Sequence, residues 1–244
     1  MPAEEYVHEM PMRWADLDSL NHVNNVVYLD YAAESRALLV EDGVLATDEQ
    51  LSRIAVDFVR PMLLSSKPVR IVSTRDGAEL TQEICVDSDA GRTVFARVVT
   101  ALGECAEIAS HESAGKPLPS RVRRSDLDPS GAVSPTKVFE LFQEGRILFI
   151  ADHLTEMSPG RFVVARVDVR FGAPMTWRRL PYEVRSWISR VGDSSVTIET
   201  QLTDGALVMA QSVTALVGFD LTTQRSRRLT DTERAELADA SCPD

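Results

Sequence analysis

The amino-acid sequence predicts an α+β chain of two fused units, each an antiparallel sheet covered by one long helix. Two observations carry this. The segment RWADLDSLNHVNNVVYLDYAAESR, Arg13 to Arg36, recurs as RRSDLDPSGAVSPTKVFELFQEGR, Arg123 to Arg146, at an ungapped offset of 110 residues. Downstream, Val56, Phe58, Pro61 and Met62 fall on Val169, Phe171, Pro174 and Met175, and Ala96, Thr100, Ala101 and Leu102 on Ala210, Thr214, Ala215 and Leu216. The order of elements is thus preserved through both copies, and repeats of roughly 110 residues are domain-sized rather than solenoid-sized. The expected boundaries are residues 1–110 and 121–222, with a linker at 111–120 and a polar tail at 223–244.

The elements follow in order. A short strand is expected at Tyr6 to Arg13, with a less distinct counterpart ahead of the second repeat. Helical spacing then begins after Asn24 and runs through Val27, Tyr28, Tyr31, Ala32, Ser35, Leu38 and Leu39 to Gly43, a residue suited to ending a helix. The second copy has Ser134-Pro135 where the first has Asn24-Asn25. Serine or asparagine before the first turn accepts its amide hydrogens, and proline fits the first helical position. Runs rich in β-branched and aromatic residues follow: Arg53 to Val59, Val69 to Thr74, Leu80 to Val86 and Thr93 to Leu102, then Phe162 to Phe171, Tyr182 to Val191, Ser194 to Thr203 and Leu207 to Phe219. Asp76-Gly77 and Asp204-Gly205 are hairpin turns in type, so each set pairs as an antiparallel sheet with the helix as its cover.

Composition narrows the functional classes. The chain has 244 residues, 44% of them hydrophobic, enough for a full core. No apolar run reaches a membrane-spanning length and the N-terminus lacks a signal pattern, so the expectation is a cytoplasmic protein without membrane attachment. Cys85, Cys105 and Cys242 lack metal-ligand spacing and read as reduced thiols; no metal or cofactor is expected. The net charge is −11, with 10 basic and 20 acidic side chains up to residue 118 and 16 and 17 beyond it. That balance excludes nonspecific nucleic-acid binding, which needs a positive field.

The repeated D-L-D segment carries the chemistry. Asp18 lies in the loop feeding a helix N-terminus, where unpaired amides and the positive dipole end could stabilise an oxyanion. A carboxylate there can attack a carbonyl or deprotonate water. Equally, a D-x-D before a helix is often a loop brace, and Asp16 is read that way. His22 either positions a substrate or water or bonds the loop; Asn24 reads as a helix cap, and Asn25 as a cap or ligand contact. Glu34, with Glu144 at the matching position, either faces a pocket or holds a fixed partner. Tyr28 and Tyr31 read as core, and Arg13/Arg123 and Arg36/Arg146 as scaffold.

The stretch D-L-D-x-x-x-H-V-N-N-x-x-Y-x-x-Y-x-x-E-x-R, Asp16 to Arg36, closely resembles the signature of hotdog-fold acyl thioesterases, in which a curled sheet wraps a central helix. The second copy, D-L-D-P-S-G-A-V, resembles the hydroxybenzoyl-coenzyme A thioesterase form, and the first is also similar to acyl-carrier-protein thioesterases. The resemblance implies a tandem double hotdog hydrolysing an acyl-coenzyme A thioester. It carries catalysis to Asp18 and, by position, Asp128, with His22 and Asn24 in support and Asn25 and Glu34 toward the substrate. Carrier-protein enzymes have an asparagine two residues after the aspartate, where this chain has Leu20, with Asn21 next. Arg60, Arg166, Arg170, Arg178 and Arg179 are candidates for coenzyme A phosphates, Arg60 and Arg170 foremost. Hotdog pockets lie between two units, so the resemblance implies that a fused pair supplies both walls from one chain; a homo-oligomer of such double-hotdog chains is also expected. Whether the second copy is a degenerate half or a second active site stays open at this point. The competing readings are a non-catalytic acyl-coenzyme A binder, an acyl-carrier-protein thioesterase and a dehydratase or hydratase. The last needs a different His and acid arrangement.

Overall fold

The computed structural model describes residues 4–18, 21–89, 91–111, 116–157, 161–220 and 222–241. Cys242, Leu20 and part of the expected linker lie outside them. The chain divides into two units, Met1–Cys105 and Ala106–Asp244.

In the first unit, β1 (Glu5–Met10) precedes α1 (Val27–Glu41), and β2 (Leu51–Phe58), β3 (Val69–Asp76), β4 (Glu79–Ser88) and β5 (Gly91–Leu102) follow. All neighbours pair antiparallel in the order β1-β3-β4-β5-β2. In the second unit β6 (Leu118–Ser120) precedes α2 (Pro135–His153). Then come β7 (Phe162–Phe171), β8 (Tyr182–Val191), β9 (Ser195–Asp204) and β10 (Leu207–Asp220). Its order, β6-β8-β9-β10-β7, is the first unit's order repeated. Register repeats as well: Phe58 faces Ala96 in one sheet and Phe171 faces Ala210 in the other. β6 supplies the strand whose counterpart was faint in the sequence.

Each helix lies on its own sheet. α1 buries Tyr28, Leu29, Tyr31, Ala32, Ser35, Arg36 and Leu39, and Leu39 packs with Leu45, Leu80 and Leu102. Burial of each such leucine contributes about 1.5–3 kcal/mol. Arg36 is enclosed in a polar seam, donating to Gln82 Oε1 at 3.1 Å, while Gln82 donates to the Ala32 carbonyl. Burial lowers the Arg36 and Arg146 guanidinium pKa values to about 10, which still leaves both protonated at neutral pH. Both arginines are scaffold, as expected.

The expected polar tail is corrected in part. β11 (Arg225–Ser226) pairs with β10, and α3 (Asp231–Asp239) closes one end of the second unit. Leu229 and Leu237 join Phe149, Leu154, Met157 and Ile188 in its core. A reciprocal cap starts α3: Glu233 N–H donates to Thr230 Oγ1 at 3.2 Å and Thr230 N–H to Glu233 Oε2 at 2.8 Å. Glu233 itself is fully buried between Arg161 and Arg227. Among the described residues no helix is long and apolar enough to cross a membrane.

Candidate active site

The D-L-D loop of the first unit is built almost wholly by its backbone. A short 3-10 turn, Trp14–Asp16, leads into Leu17, which bridges to Val23; Asp18 N–H donates to the His22 carbonyl at 2.8 Å. Asn21 N–H returns to the Asp18 carbonyl at 3.1 Å, and Asn21 takes φ +58° to close the turn. Asparagine is one of the few residues with a side chain that enter this region readily. A strap after β2 holds the loop from outside: Val23 N–H donates to the Met62 carbonyl at 2.8 Å and His22 bridges to Leu63.

Asp16 braces the assembly. Its Oδ2 accepts from the Arg13 amide at 2.7 Å and the Tyr31 hydroxyl at 2.6 Å, and the Asn24 amide donates to its carbonyl at 2.8 Å. Tyr31 is therefore more than a core residue. Burial foremost, then the bond to Asp16, raises its phenol pKa. Tyr28 is pushed up to about 12, chiefly by burial; its hydrogen bond with the Met62 backbone acts the other way, and the Asp18 charge adds to the rise. Tyr28 thus lies within electrostatic reach of Asp18 and stays protonated.

Asp18 is half-buried, and its Oδ1 accepts from the His22 amide at 3.1 Å. Asn24 departs from the expected simple cap. The helix starts two residues later than the sequence suggested, because the Asn24 side chain accepts from Val26 N–H at 3.1 Å and its carbonyl from Val27 N–H at 2.9 Å. Asn25 lies in the turn between them, half-buried. The structure therefore brings Asp18, His22, Asn24 and Asn25 into one loop.

The second unit repeats the backbone almost bond for bond. Asp128 N–H donates to the Ala132 carbonyl at 2.8 Å, Gly131 N–H to the Asp128 carbonyl at 3.0 Å and Val133 N–H to the Met175 carbonyl at 2.8 Å. Gly131, at the position of Asn21, has φ +86°. The side chains differ. Asp128 Oδ1 accepts from Ser130 N–H at 2.8 Å, Ser130 Oγ at 2.6 Å and Ala132 N–H at 3.3 Å. Ser134 caps α2 as its sequence indicated, its side chain accepting from Lys137 N–H and its carbonyl from Val138 N–H.

The remaining candidates belong to other segments than the D-L-D loops. Glu34 and Glu144 are exposed and make no hydrogen bond or ion pair among the described residues, which corrects the fixed partner expected for them. Glu34 lines a cavity of about 420 Å³ with Glu9, Arg13, Asp16, Asp30 and Tyr31, a lining of four carboxylates and one guanidinium. Arg60 is exposed just after β2. Arg170 and Arg166 line a shallow cavity of about 380 Å³ on the second unit's sheet together with Asp168 and Glu199. Arg178 pairs with Asp204 and stacks on Tyr182 at 3.9 Å, so it is structural. No cluster of His, Cys, Asp and Glu able to hold a metal occurs among the described residues.

Comparison with known proteins agrees with this architecture. Residues 1–94 match the family model described as acyl-ACP thioesterase C-terminal domain, and residues 122–240 match the thioesterase-like superfamily model. No curated protein sequence matches the chain. Among solved structures, a putative oleoyl thioesterase from Lactobacillus plantarum is similar at 14% identity and TM-score 0.67, covering 88% of this chain and 96% of its own. The 12:0-ACP thioesterase from Umbellularia californica is similar at 9% identity and TM-score 0.65, covering 91% and 94%. At these identities the likeness speaks for the fold. A thioesterase family model thus matches within each half of the chain, and its fold is the one these solved structures share.

Proposed function

We propose that the chain hydrolyses an acyl-coenzyme A thioester at the Asp18 loop of the first unit. One contrast supports this reading above others: the first loop carries His22, Asn24 and Asn25 where the second has Ala132, Ser134 and Pro135. Asp18 acts either as the base that removes a proton from the attacking water or as a nucleophile whose acyl anhydride water then cleaves. In either route the C–S bond breaks, water supplies the new C–O bond, and the departing thiolate takes a proton. The Asn25 and Tyr28 amides at the start of α1 are the proposed oxyanion donors. In the second unit Pro135 stands at the position of Asn25 and has no N–H, and the Val138 amide already donates to Ser134.

The test is release of free thiol from a panel of acyl-coenzyme A thioesters. Asp18→Asn is expected to lower kcat/KM by about 10²- to 10⁴-fold, the usual worth of a positioned general base. Full turnover in that variant would sink the assignment. The match of residues 1–94 to an acyl-ACP thioesterase model favours one second reading, a carrier-protein thioester as substrate, so both carriers belong in the panel.

A further inference from the structure

The strip of surface beside the Asp18 loop is unlike its counterpart in the second unit. Trp14 is 77% exposed, the most exposed large hydrophobic side chain among the described residues, and Val59, Leu63 and Leu64 on the strap are 53%, 60% and 44% exposed. The bridge from His22 to Leu63 fixes the strap against the loop, and four residues of chain keep Trp14 within about 14 Å of Asp18. Large apolar groups left in water in one place mark a binding surface rather than a packing surplus.

The second unit shows what the strip would be without a ligand. There Arg124 replaces Trp14 and Trp177 replaces Leu64, and the guanidinium lies over the ring at 3.8 Å. The pair satisfies itself. Among the described residues nothing covers Trp14 in this way. Two cations flanking the strap of the first unit, Arg60 and Lys67, become Ala173 and Leu180 in the second. The unit that carries Asp18 therefore presents exposed apolar side chains and two exposed cations around the strap bridged to its D-L-D loop, within an otherwise acidic half.

We infer that Trp14, Leu63 and Leu64 seat the pantetheine arm of the thioester, with Arg60 and Lys67 drawing the phosphate at its far end. This rests on the proposed thioesterase reading and names the part of the substrate recognised outside the acyl group. Such a ligand offers complementary chemistry: the methylene and gem-dimethyl carbons of its arm for the apolar side chains, and a phosphate for the cations. Coenzyme A and a phosphopantetheinylated carrier protein share that arm.

The experiment compares one acyl group carried on coenzyme A, on pantetheine, on N-acetylcysteamine and on a carrier protein, in wild type, Trp14→Ala and the surface control Leu180→Ala. In Trp14→Ala, the preference in kcat/KM for the pantetheine thioester over the N-acetylcysteamine thioester falls about tenfold, as removal of one aromatic contact platform commonly does. Quenching of tryptophan fluorescence by free coenzyme A or 4′-phosphopantetheine, which needs no turnover, is lost in Trp14→Phe/Leu64→Ala. An unchanged preference with normal Asp18-dependent hydrolysis would overturn the inference while leaving the function standing. Loss confined to coenzyme A thioesters would place the nucleotide, not the arm, on the ring and also overturn it. A shift of Trp14→Ala to a smaller assembly in sedimentation, without a change in preference, would show the strip to be a contact between copies.

Discussion

The two D-L-D loops share their described backbone hydrogen bonds and differ at six of the seven positions from Ser19 to Asn25. Where the first has Leu20, Asn21 and Asn25, the second has Ser130, Gly131 and Pro135. The glycine and Asn21 serve the same turn with φ +86° and +58°, so that exchange is conformationally neutral. The serine and proline are not neutral. Ser130 ties down the carboxylate, and Pro135 removes an amide from the helix start. The scaffold is common to both units, and these local changes give the two loops different side-chain chemistry.

Grafting the second unit's features onto the first should break the contrast. Asn25→Pro removes a proposed oxyanion donor and is expected to lower kcat by about 10²- to 10³-fold, with near-native thermal unfolding because proline is favoured at the second position of a turn such as Asn24–Val27. A kcat within twofold of wild type would remove Asn25 from the proposal.

A second difference is the brace that only the second unit carries. The bidentate Arg227 guanidinium holds the buried Glu233 carboxyl down to about 2 from an ordinary value of 4.5, and burial opposes that. Because the folded pKa is depressed, this stabilisation is complete above about pH 4.5 and disappears as pH falls toward 2. The shift corresponds to about 3 kcal/mol. Glu233→Gln should therefore be much less stable than wild type at pH 7 in denaturant unfolding, and the gap should close in acid. A gap independent of pH would show that packing of α3, not the ion pair, is what the substitution disturbs.

Smaller effects belong to the first loop. Tyr31→Phe deletes the hydroxyl that Asp16 accepts, a position filled by Leu141 in the second unit, and should cost about 1.5–3 kcal/mol of stability. Asn21→Gly copies Gly131 and should shift stability by less than about 1 kcal/mol, whereas Asn21→Ala, which enters the left-handed region poorly, should lose about 1 kcal/mol. Equal unfolding midpoints for the glycine and alanine variants would contradict the shared-turn account.

Much of this was legible in the chain itself. The strands stand within a few residues of where β-branched runs placed them, and Ser134-Pro135 marked the start of α2 because both signals are local. What escaped was non-local or carried by few residues. Nothing near Tyr31 in sequence points to Asp16, fifteen residues away, and the Met62 strap reaches Val23 only once the sheet has formed. The exposure of Glu34 and Glu144 depends on helix rotation, which the recurrence of a carboxylate does not fix. The helix α3 did have a signal, Thr230-x-x-Glu233, a capping box overlooked because the segment around it is so polar. The engagement of Asp128 was also encoded locally, since Asp-Pro-Ser-Gly is turn-forming chemistry that consumes its own carboxylate.

The division between the loops comes down to one paired measurement: steady-state thioester hydrolysis by Asp18→Asn and Asp128→Asn, each checked for native unfolding. The account predicts a loss of about 10²-fold or more for the first and a kcat/KM within about twofold of wild type for the second. Comparable losses in both variants, or a loss only at Asp128, would contradict it.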